Sequence, residues 1–596
     1  MLFLRKSGKA LFLWSEMIQY RIDLQRRHEH HFGVAMTIDN PSEITRVQMP
    51  CWIAGSYLIR DMAGDVSSVR AAQGSSSLGA KKIDKSTWEI RCDPSQGPLH
   101  LSYDVYAYDL SVRLAYLDQE RAFFNPGSLC LKVLDRDNEP CQIQVLKPQA
   151  DARAWQLISA LPSLQTDESG WGWYRACDYE ELIDSPFEAG QLTVLHFQAH
   201  GISHRIVLSG VFAAFAQARL VQDVQTLCQR VMTFFDPQLR YIPFEQYTFF
   251  LHLTVNGYGG LEHRRSTALM ASFDDLPYVD KGQADEAYLR LLTLFTHEYF
   301  HAWWVKWVKP SRFIHLDDQR ENYTQLLWIF EGFTSYYDDL LTHRAGLMSP
   351  EAYAKALTQA LNAHAAMPAR AVQSLSESSW DTWIKFYKPN ANRANAVVSY
   401  YVGGALAAML LDAQILQQTQ GAKRLDDVLR LAVQEAFAAG ENYQGLQEDA
   451  LAGLVQRAVG LDLSGLIEAI SQGCQRPDYE AALNILGFDC QKVALPVLRS
   501  RLGVTVKTQD RTITVTQVLS GSAAAKAGLA GGDQLIALDG VRLDPERLNR
   551  TLERAGTGQI LRLHYFRADV LKEAQVCLPQ VQDSGYEVRV SKPADK

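Results

Sequence analysis

His297-Glu298-Tyr299-Phe300-His301 is the stretch on which the reading of this sequence turns. It lies in a run with helical periodicity, Asp285–Val308. Positions 297 and 301 are one helical turn apart, so both imidazoles leave the same face. Two neutral imidazoles placed this way can hold one divalent cation at ~2.0–2.1 Å each. Glu298, beside the first of them, can reach a water at that cation and is the expected general base. From composition alone, such a pentapeptide arises in on the order of a few per cent of chains this long. Tyr288, Leu291, Leu292 and Phe295 mark another face of the run as core, so a merely structural histidine pair is the competing reading.

A third ligand is available downstream. Glu331 sits in Trp328-Ile-Phe-Glu-Gly-Phe-Thr334, inside a second helical run, Thr324–His343. Gly332 inside a helix costs about 1 kcal/mol against Ala, and close approach to another helix or to a site is one reason to tolerate it. Taken alone, Glu331 reads as a solvated helix carboxylate. With the two histidines upstream, His297, His301 and Glu331 read as a His₂Glu set with one position left open for water. Imidazole and carboxylate ligands on helices suit Zn²⁺, one ion per chain. His263, His315 and His343 have no histidine partner four residues away and read as surface residues or as residues behind the ligands.

Around this centre, 596 residues imply about three to five domains. Apolar residues make up 47% and charged residues 21%, ordinary values for globular chains that exclude a disordered chain or a coiled-coil rod. A net charge of −8 lacks the broad positive field that nonspecific nucleic-acid binding needs, so no nucleic-acid partner is expected. No run reaches the ~20 apolar residues that span a bilayer. Arg5, Lys6 and Lys9 before Leu11-Phe-Leu-Trp14 imitate a secretory signal, but the apolar stretch is short and Glu16 ends it. The nine cysteines are odd in number and scattered, with no C-x-x-C, which favours reduced thiols and a cytoplasmic location.

Residues 17–205 read as a β domain: Tyr20–Leu24, Ile44–Gln48 and Leu101–Tyr106 alternate apolar and polar side chains between turn signals. From Val211 to about Gly487 helical stretches dominate: Val211–Phe235, the two runs above, a helix started by Ser349-Pro350-Glu351, then Val402–Gln418, Leu425–Phe437 and Glu448–Val459. A β-like piece, Tyr247–Val255, ends in Asn256-Gly257. Residues from 495 to about 585 form a third unit, with strands at Thr512–Val518, Ile536–Gly540 and Leu561–Tyr565 and a helix from Asp544 to Arg554.

These residues resemble the glycyl aminopeptidase family of gluzincin metallopeptidases. The resemblance is carried by His297–His301 with Trp303-Trp-Val-Lys306, by Glu331-Gly-Phe-Thr334, by Gly259-Gly-Leu-Glu-His263 and by Ser399-Tyr-Tyr-Val-Gly-Gly404. Met49–Asp61 and Ser111-Val-Arg113 resemble the family's amino-terminal β domain, and the carboxy-terminal unit resembles the PDZ domain that many members carry. The whole spans about Tyr20 to Pro579. It implies an α+β multidomain chain: an amino-terminal β domain at 17–205, a thermolysin-like zinc peptidase domain with a helical carboxy-terminal part at 206–490, and a PDZ-like domain at 491–590.

The resemblance also implies roles. His297, His301 and Glu331 would hold zinc, and Glu298 would move a proton to the leaving amine. Tyr401 would donate a hydrogen bond to the oxyanion, with Tyr400, about 100° away on a helix, as the competing choice. Gly403 stands where the family's element has a lysine. Glu262 would bind the free amine of a peptide substrate, after a Gly259-Gly260 pair that allows close backbone approach; the alternative is an exposed glutamate at a strand end. The strand before Asn256-Gly257 would offer an edge to the substrate backbone. A small first residue, Gly or Ala, is the implied preference.

In the third unit, Ser500–Val504 would capture a peptide carboxy-terminus, or the unit docks on the catalytic part and binds nothing. Two other functions stay open here: a zinc endopeptidase assisted by the PDZ-like unit, and a non-catalytic peptide-binding scaffold.

Overall fold

In the amino-terminal part, alternation along the sequence becomes alternation of burial. Ile18–Asp23 pairs antiparallel with His31–Ile38 and parallel with Cys141–Val145. Its Tyr20 and Ile22 join Val34, Met36, Ile38, Leu101 and Ile143 in one core. Each such side chain contributes roughly 1.5–3 kcal/mol on burial. These strands belong to an eight-stranded sheet, accompanied by two four-stranded sheets. The buried phenols are satisfied on one short segment: Tyr103, Tyr179 and Tyr20 donate to the carbonyls of Leu129, Cys130 and Leu131 at 2.8, 2.6 and 2.7 Å. The strand expected at Ile44–Gln48 forms over those residues, and the expected Leu101–Tyr106 strand begins two residues earlier, at Leu99.

The computed structural model describes residues 17–148, 154–365, 367–474, 477–581 and 585–591. The signal-like stretch from Arg5 to Glu16 lies outside the described residues. Among those described, no helix is long and apolar enough to cross a membrane. The chain divides into two compact units. The first holds residues up to Lys309 with Phe313–Asn322 and Val433–Tyr443; the second holds Pro310–Arg312, Tyr323–Ala432 and the residues from Gln444 onward.

The first unit also contains a five-stranded sheet in the order Thr193–Ala199, Ile202–Gly210, Gln246–Thr254, Ser266–Ser272, Gly259–Glu262. The boundary drawn at 205/206 falls inside its continuous Ile202–Gly210 strand. Gln246–Thr254 pairs in parallel on both sides, so the expected substrate-facing edge is not there. The edge is Gly259–Glu262, the antiparallel neighbour of Ser266–Ser272. Strand order is a non-local property, and the Asn256-Gly257 turn carries the chain out to that edge and back. The helix expected from Val211 starts at Gln217; the strand before it runs to Gly210, and Val211 is exposed.

The expected Asp285–Val308 helix runs only over Glu286–Phe300. Beyond it, Val305 has φ +110 and its N–H donates to the Val308 carbonyl at 2.7 Å. Burial of Trp303 and Trp304 in the core wins over continued helix.

In the second unit, the Leu327–Arg344 and Tyr400–Gln418 helices touch backbone to backbone. A Cβ on Gly332 would stand 2.4 Å from the Gly404 Cα, and one on Gly404 would stand 2.2 Å from the Trp328 carbonyl oxygen. The close approach expected of Gly332 is therefore present.

The carboxy-terminal sheet contains Val504–Gln509, Thr512–Val518, Gln534–Leu538, Ile560–Arg567 and Val570–Cys577, with Val504–Gln509 at one edge. Asp539 and Gly540, both at positive φ, make the expected two-residue hairpin. This sheet is tied to the helices of its own unit. Asn395 donates to the Val518 carbonyl at 2.9 Å and accepts from the Ser520 N–H at 2.8 Å. Asn362 likewise brackets Tyr586, on the Gly585–Val590 strand, with two bonds of 2.8 Å.

Candidate metal centre and substrate cleft

The Glu286–Phe300 helix starts at Asp285, whose carboxylate accepts the Tyr288 N–H at 2.8 Å. Leu291, Leu292 and Phe295 lie in the core, as their spacing predicts. That anchorage leaves His297 and His301 on a common face. Their Nε2 atoms are 3.2 Å apart. The Nδ1 of His301 lies 2.8 Å from the Trp304 carbonyl oxygen, which holds the ring with Nδ1–H donating and the Nε2 lone pair forward. Tetrahedral zinc with Zn–N of ~2.0–2.1 Å would separate two such nitrogens by about 3.3 Å, so the pair fits the ion.

Glu331, buried in the second turn, belongs to the Leu327–Arg344 helix. One ligand atom from each of His297, His301 and Glu331 lies within 4.8 Å of the others.

Glu298 is 5% exposed. Its carboxylate rests against the edge strand: a Cβ on Gly260 would stand 2.1 Å from the Glu298 Oε1. Gly259, at φ +146, lets the strand turn in. Glu262, at the end of this strand, is 4% exposed rather than on the surface, and it faces a cavity. A Cβ on Gly55 would stand 2.6 Å from either of its carboxylate oxygens. Among the described residues the Glu262 carboxylate has no hydrogen-bond or ion-pair partner.

The chain just beyond Glu262 is locked by Asp184. Asp184 takes hydrogen bonds from the Lys306 Nζ at 3.0 Å, the His263 Nδ1 at 3.1 Å and the Arg264 N–H at 2.9 Å. Burial alone would raise its pKa, but Lys306, His263 and Arg264 outweigh it and hold the carboxyl well below the usual range. Asp184 thus ties the residues after Glu262 to the turn after His301. His263 is buried behind the site, His315 is exposed on the cavity wall, and the His343 Nδ1 lies 2.9 Å from the Met348 carbonyl oxygen.

Tyr400 and Tyr401 open the Tyr400–Gln418 helix, capped by Ser399. Tyr400 is wholly buried, and its oxygen accepts from the Thr382 hydroxyl at 3.1 Å. Burial, then Tyr387 and Glu331, push its pKa well up. Tyr401 is half-buried, and its hydroxyl meets that of Tyr387 at 3.1 Å. Gly403, where the family's lysine is missing, has no room for one: a Cβ there would stand 2.6 Å from Leu375 Cδ2 and 2.9 Å from His364 Cε1.

In the carboxy-terminal unit, the Arg499 and Ser500 N–H groups donate to the Pro496 carbonyl and the Gly503 N–H to that of Leu498. Of the expected carboxylate loop, Ser500–Val504, the Ser500 and Gly503 N–H groups are thus occupied within their own turn.

Sequence reasoning missed Gly55, Asp184 and Tyr387. Gly55 lies inside the Met49–Asp61 stretch, but nothing local marks the carboxylate it makes room for.

Comparison with known families finds a Peptidase M61 N-terminal domain over residues 19–191, M61 glycyl aminopeptidase over residues 290–407 and a PDZ domain over residues 500–578. Among solved structures, an aminopeptidase N family protein from Idiomarina loihiensis is 34% identical with a TM-score of 0.92, covering 97% of this chain and 98% of that one. An M1 zinc metallopeptidase from Deinococcus radiodurans is 14% identical with a TM-score of 0.48, covering 78% of this chain and 95% of that one. No curated protein matches the sequence.

Proposed function

Since the chain belongs to the M61 glycyl aminopeptidase family, we propose that it is a zinc-dependent aminopeptidase, hydrolysing the first bond of peptides with a free amino-terminus. His297, His301 and Glu331 hold one Zn²⁺ in this reading, supported by the mutual approach of their ligand atoms. Zinc, when bound, supplies a Lewis acid for the carbonyl and lowers the pKa of water.

The rest is done by the chain's own side chains. Glu298 accepts a proton from the attacking water and hands it to the departing amine. Tyr401 donates its phenolic hydrogen to the developing oxyanion. Glu262 holds the substrate ammonium, and the Gly259-Gly260 edge takes the substrate backbone.

The observation that carries the aminopeptidase reading is Glu262: a carboxylate 4% exposed, facing a cavity, without a protein partner among the described residues. A buried charge in that state needs a cation, and a substrate amine is one. The test is release of Gly or Ala from free peptides against cleavage of N-acetylated ones. Glu262→Ala should depress the first far more than the second; preferred cleavage of acetylated peptides at internal bonds would favour an endopeptidase. A small-residue preference follows from the family and is checked in the same panel.

The proposal includes peptide carboxy-terminus binding at the PDZ domain, along the Val504–Gln509 edge. Saturable binding of peptides to the full chain, lost on amidating their carboxylate, is the expected result; equal binding of both forms would remove it. It also includes a reducing, cytoplasmic setting, supported by nine unbridged cysteines.

A further inference from the structure

Glu262 shares its cavity with a half-buried lysine, Lys309. The cavity measures about 260 Å³, and its walls include Gly55, Arg264, Lys306 and Lys309 but not His297, Glu298 or His301. With Glu262 as the holder of the substrate ammonium, this cavity is where the side chain of a substrate's first residue belongs. Its size exceeds what the hydrogen of glycine or the methyl of alanine would fill.

The cations on its walls differ in their partners. Arg264 bonds Glu180, and Lys306 bonds Asp184 at 3.0 Å. Lys309 has no hydrogen-bond or ion-pair partner among the described residues; the carboxylates whose fields reach it are these same two. Of the other acids on the wall, Asp318 pairs with Lys132 at 2.7 Å, the Asp178 carboxylate accepts the Glu181 N–H, and Asp137 is exposed. Burial, then Arg264, bring the Lys309 pKa down to about 8, the sign of an ammonium short of anions. The cavity thus presents one carboxylate, Glu262, and one ammonium, Lys309, that have no direct partner among the described residues.

The geometry points to Lys309 as a specificity-determining residue that receives the side-chain carboxylate of an amino-terminal Asp or Glu while Glu262 holds the α-ammonium. This rests on the aminopeptidase reading and adds an acidic class to the small-residue preference. A zwitterionic end residue satisfies both charges at once, whereas Asn or Gln of the same shape satisfies only one.

The test uses the full, zinc-loaded chain with matched dipeptide amides beginning in Asp, Asn, Glu, Gln and Ala. A charge-assisted bond predicts kcat/KM ratios of Asp over Asn and Glu over Gln of about tenfold or more. Lys309→Met should bring both ratios to one or below, and Lys309→Arg should keep them above one. Because each ratio is internal to one protein sample, partial misfolding does not mimic the result. A ratio at or below one in the unaltered chain, or one unmoved by Lys309→Met, overturns the assignment. Calorimetric binding of aspartic acid α-amide and asparagine amide to the metal-free chain separates the two readings. If no substrate is hydrolysed, the aminopeptidase reading falls, yet tighter binding of the aspartic acid amide upholds Lys309. Equal binding overturns it.

Discussion

The Gly260 backbone and the Glu298 carboxylate occupy adjoining space, so closely that a Cβ on Gly260 would stand 2.1 Å from Oε1. Glu298 and the edge strand are thereby held in one register. Whatever displaces the strand displaces the carboxylate. Gly260→Ala should therefore lower kcat by about 10²-fold, the scale expected of an ångström-sized misplacement, with zinc content retained. Gly64→Ala, whose added methyl meets nothing within 4 Å, serves as the control and should leave the rate unchanged.

Glu298 and Glu331 should separate base from ligand. Glu298→Gln keeps the shape and removes the proton acceptor, so turnover should fall about 10²–10⁴-fold while metal analysis still finds zinc. Glu331→Ala should lose zinc during dialysis against a chelator faster than the unaltered chain. Wild-type turnover in Glu298→Gln would remove the base assignment.

The two adjacent tyrosines differ in burial and in partner, and this separates their expected effects. Tyr401→Phe should cost ~10²–10³ in kcat with KM nearly constant, as for loss of one oxyanion donor. Tyr400→Phe leaves the buried Thr382 hydroxyl without its acceptor and should appear as ~1 kcal/mol of stability with kcat kept. The opposite pattern would give the oxyanion to Tyr400.

Asp184 predicts a pH signature. Its folded pKa lies below the ordinary carboxylate value because Lys306, His263 and Arg264 outweigh burial. A depressed folded pKa stabilises the fold above the unfolded value, and the contribution is lost as pH falls through the folded one. Asp184→Asn should cost ~3 kcal/mol at pH 7, since it leaves buried cations unpaired. The gap in unfolding free energy should narrow below about pH 3.9. A gap independent of pH would mean that the charge is not what stabilises this junction.

How much of the site could be read from the chain depended on the distance over which its causes act. The two histidines followed from one helical turn, and the burial of Leu291, Leu292 and Phe295 agreed with the same periodicity. Gly332 announced a close approach by its cost alone, and its partner proved to be Gly404. The end of the first site helix at Phe300 was not legible, because it depends on burying Trp303 and Trp304 and on the turn at Val305. The edge strand was misassigned because a strand's pairing partners lie outside it. Gly55, some two hundred residues before Glu262, carries no local mark of the carboxylate it makes room for.

The sequence by itself determined the chemistry offered: imidazoles one turn apart, a neighbouring carboxylate, and a glycine pair before Glu262. Those follow from covalent spacing and helical pitch. Tertiary structure alone decided which strand is the edge, which tyrosine is half-exposed, and which ammonium shares a cavity with Glu262. Desolvation and charge pairing depend on every atom that surrounds a group, and most of those atoms come from distant parts of the chain.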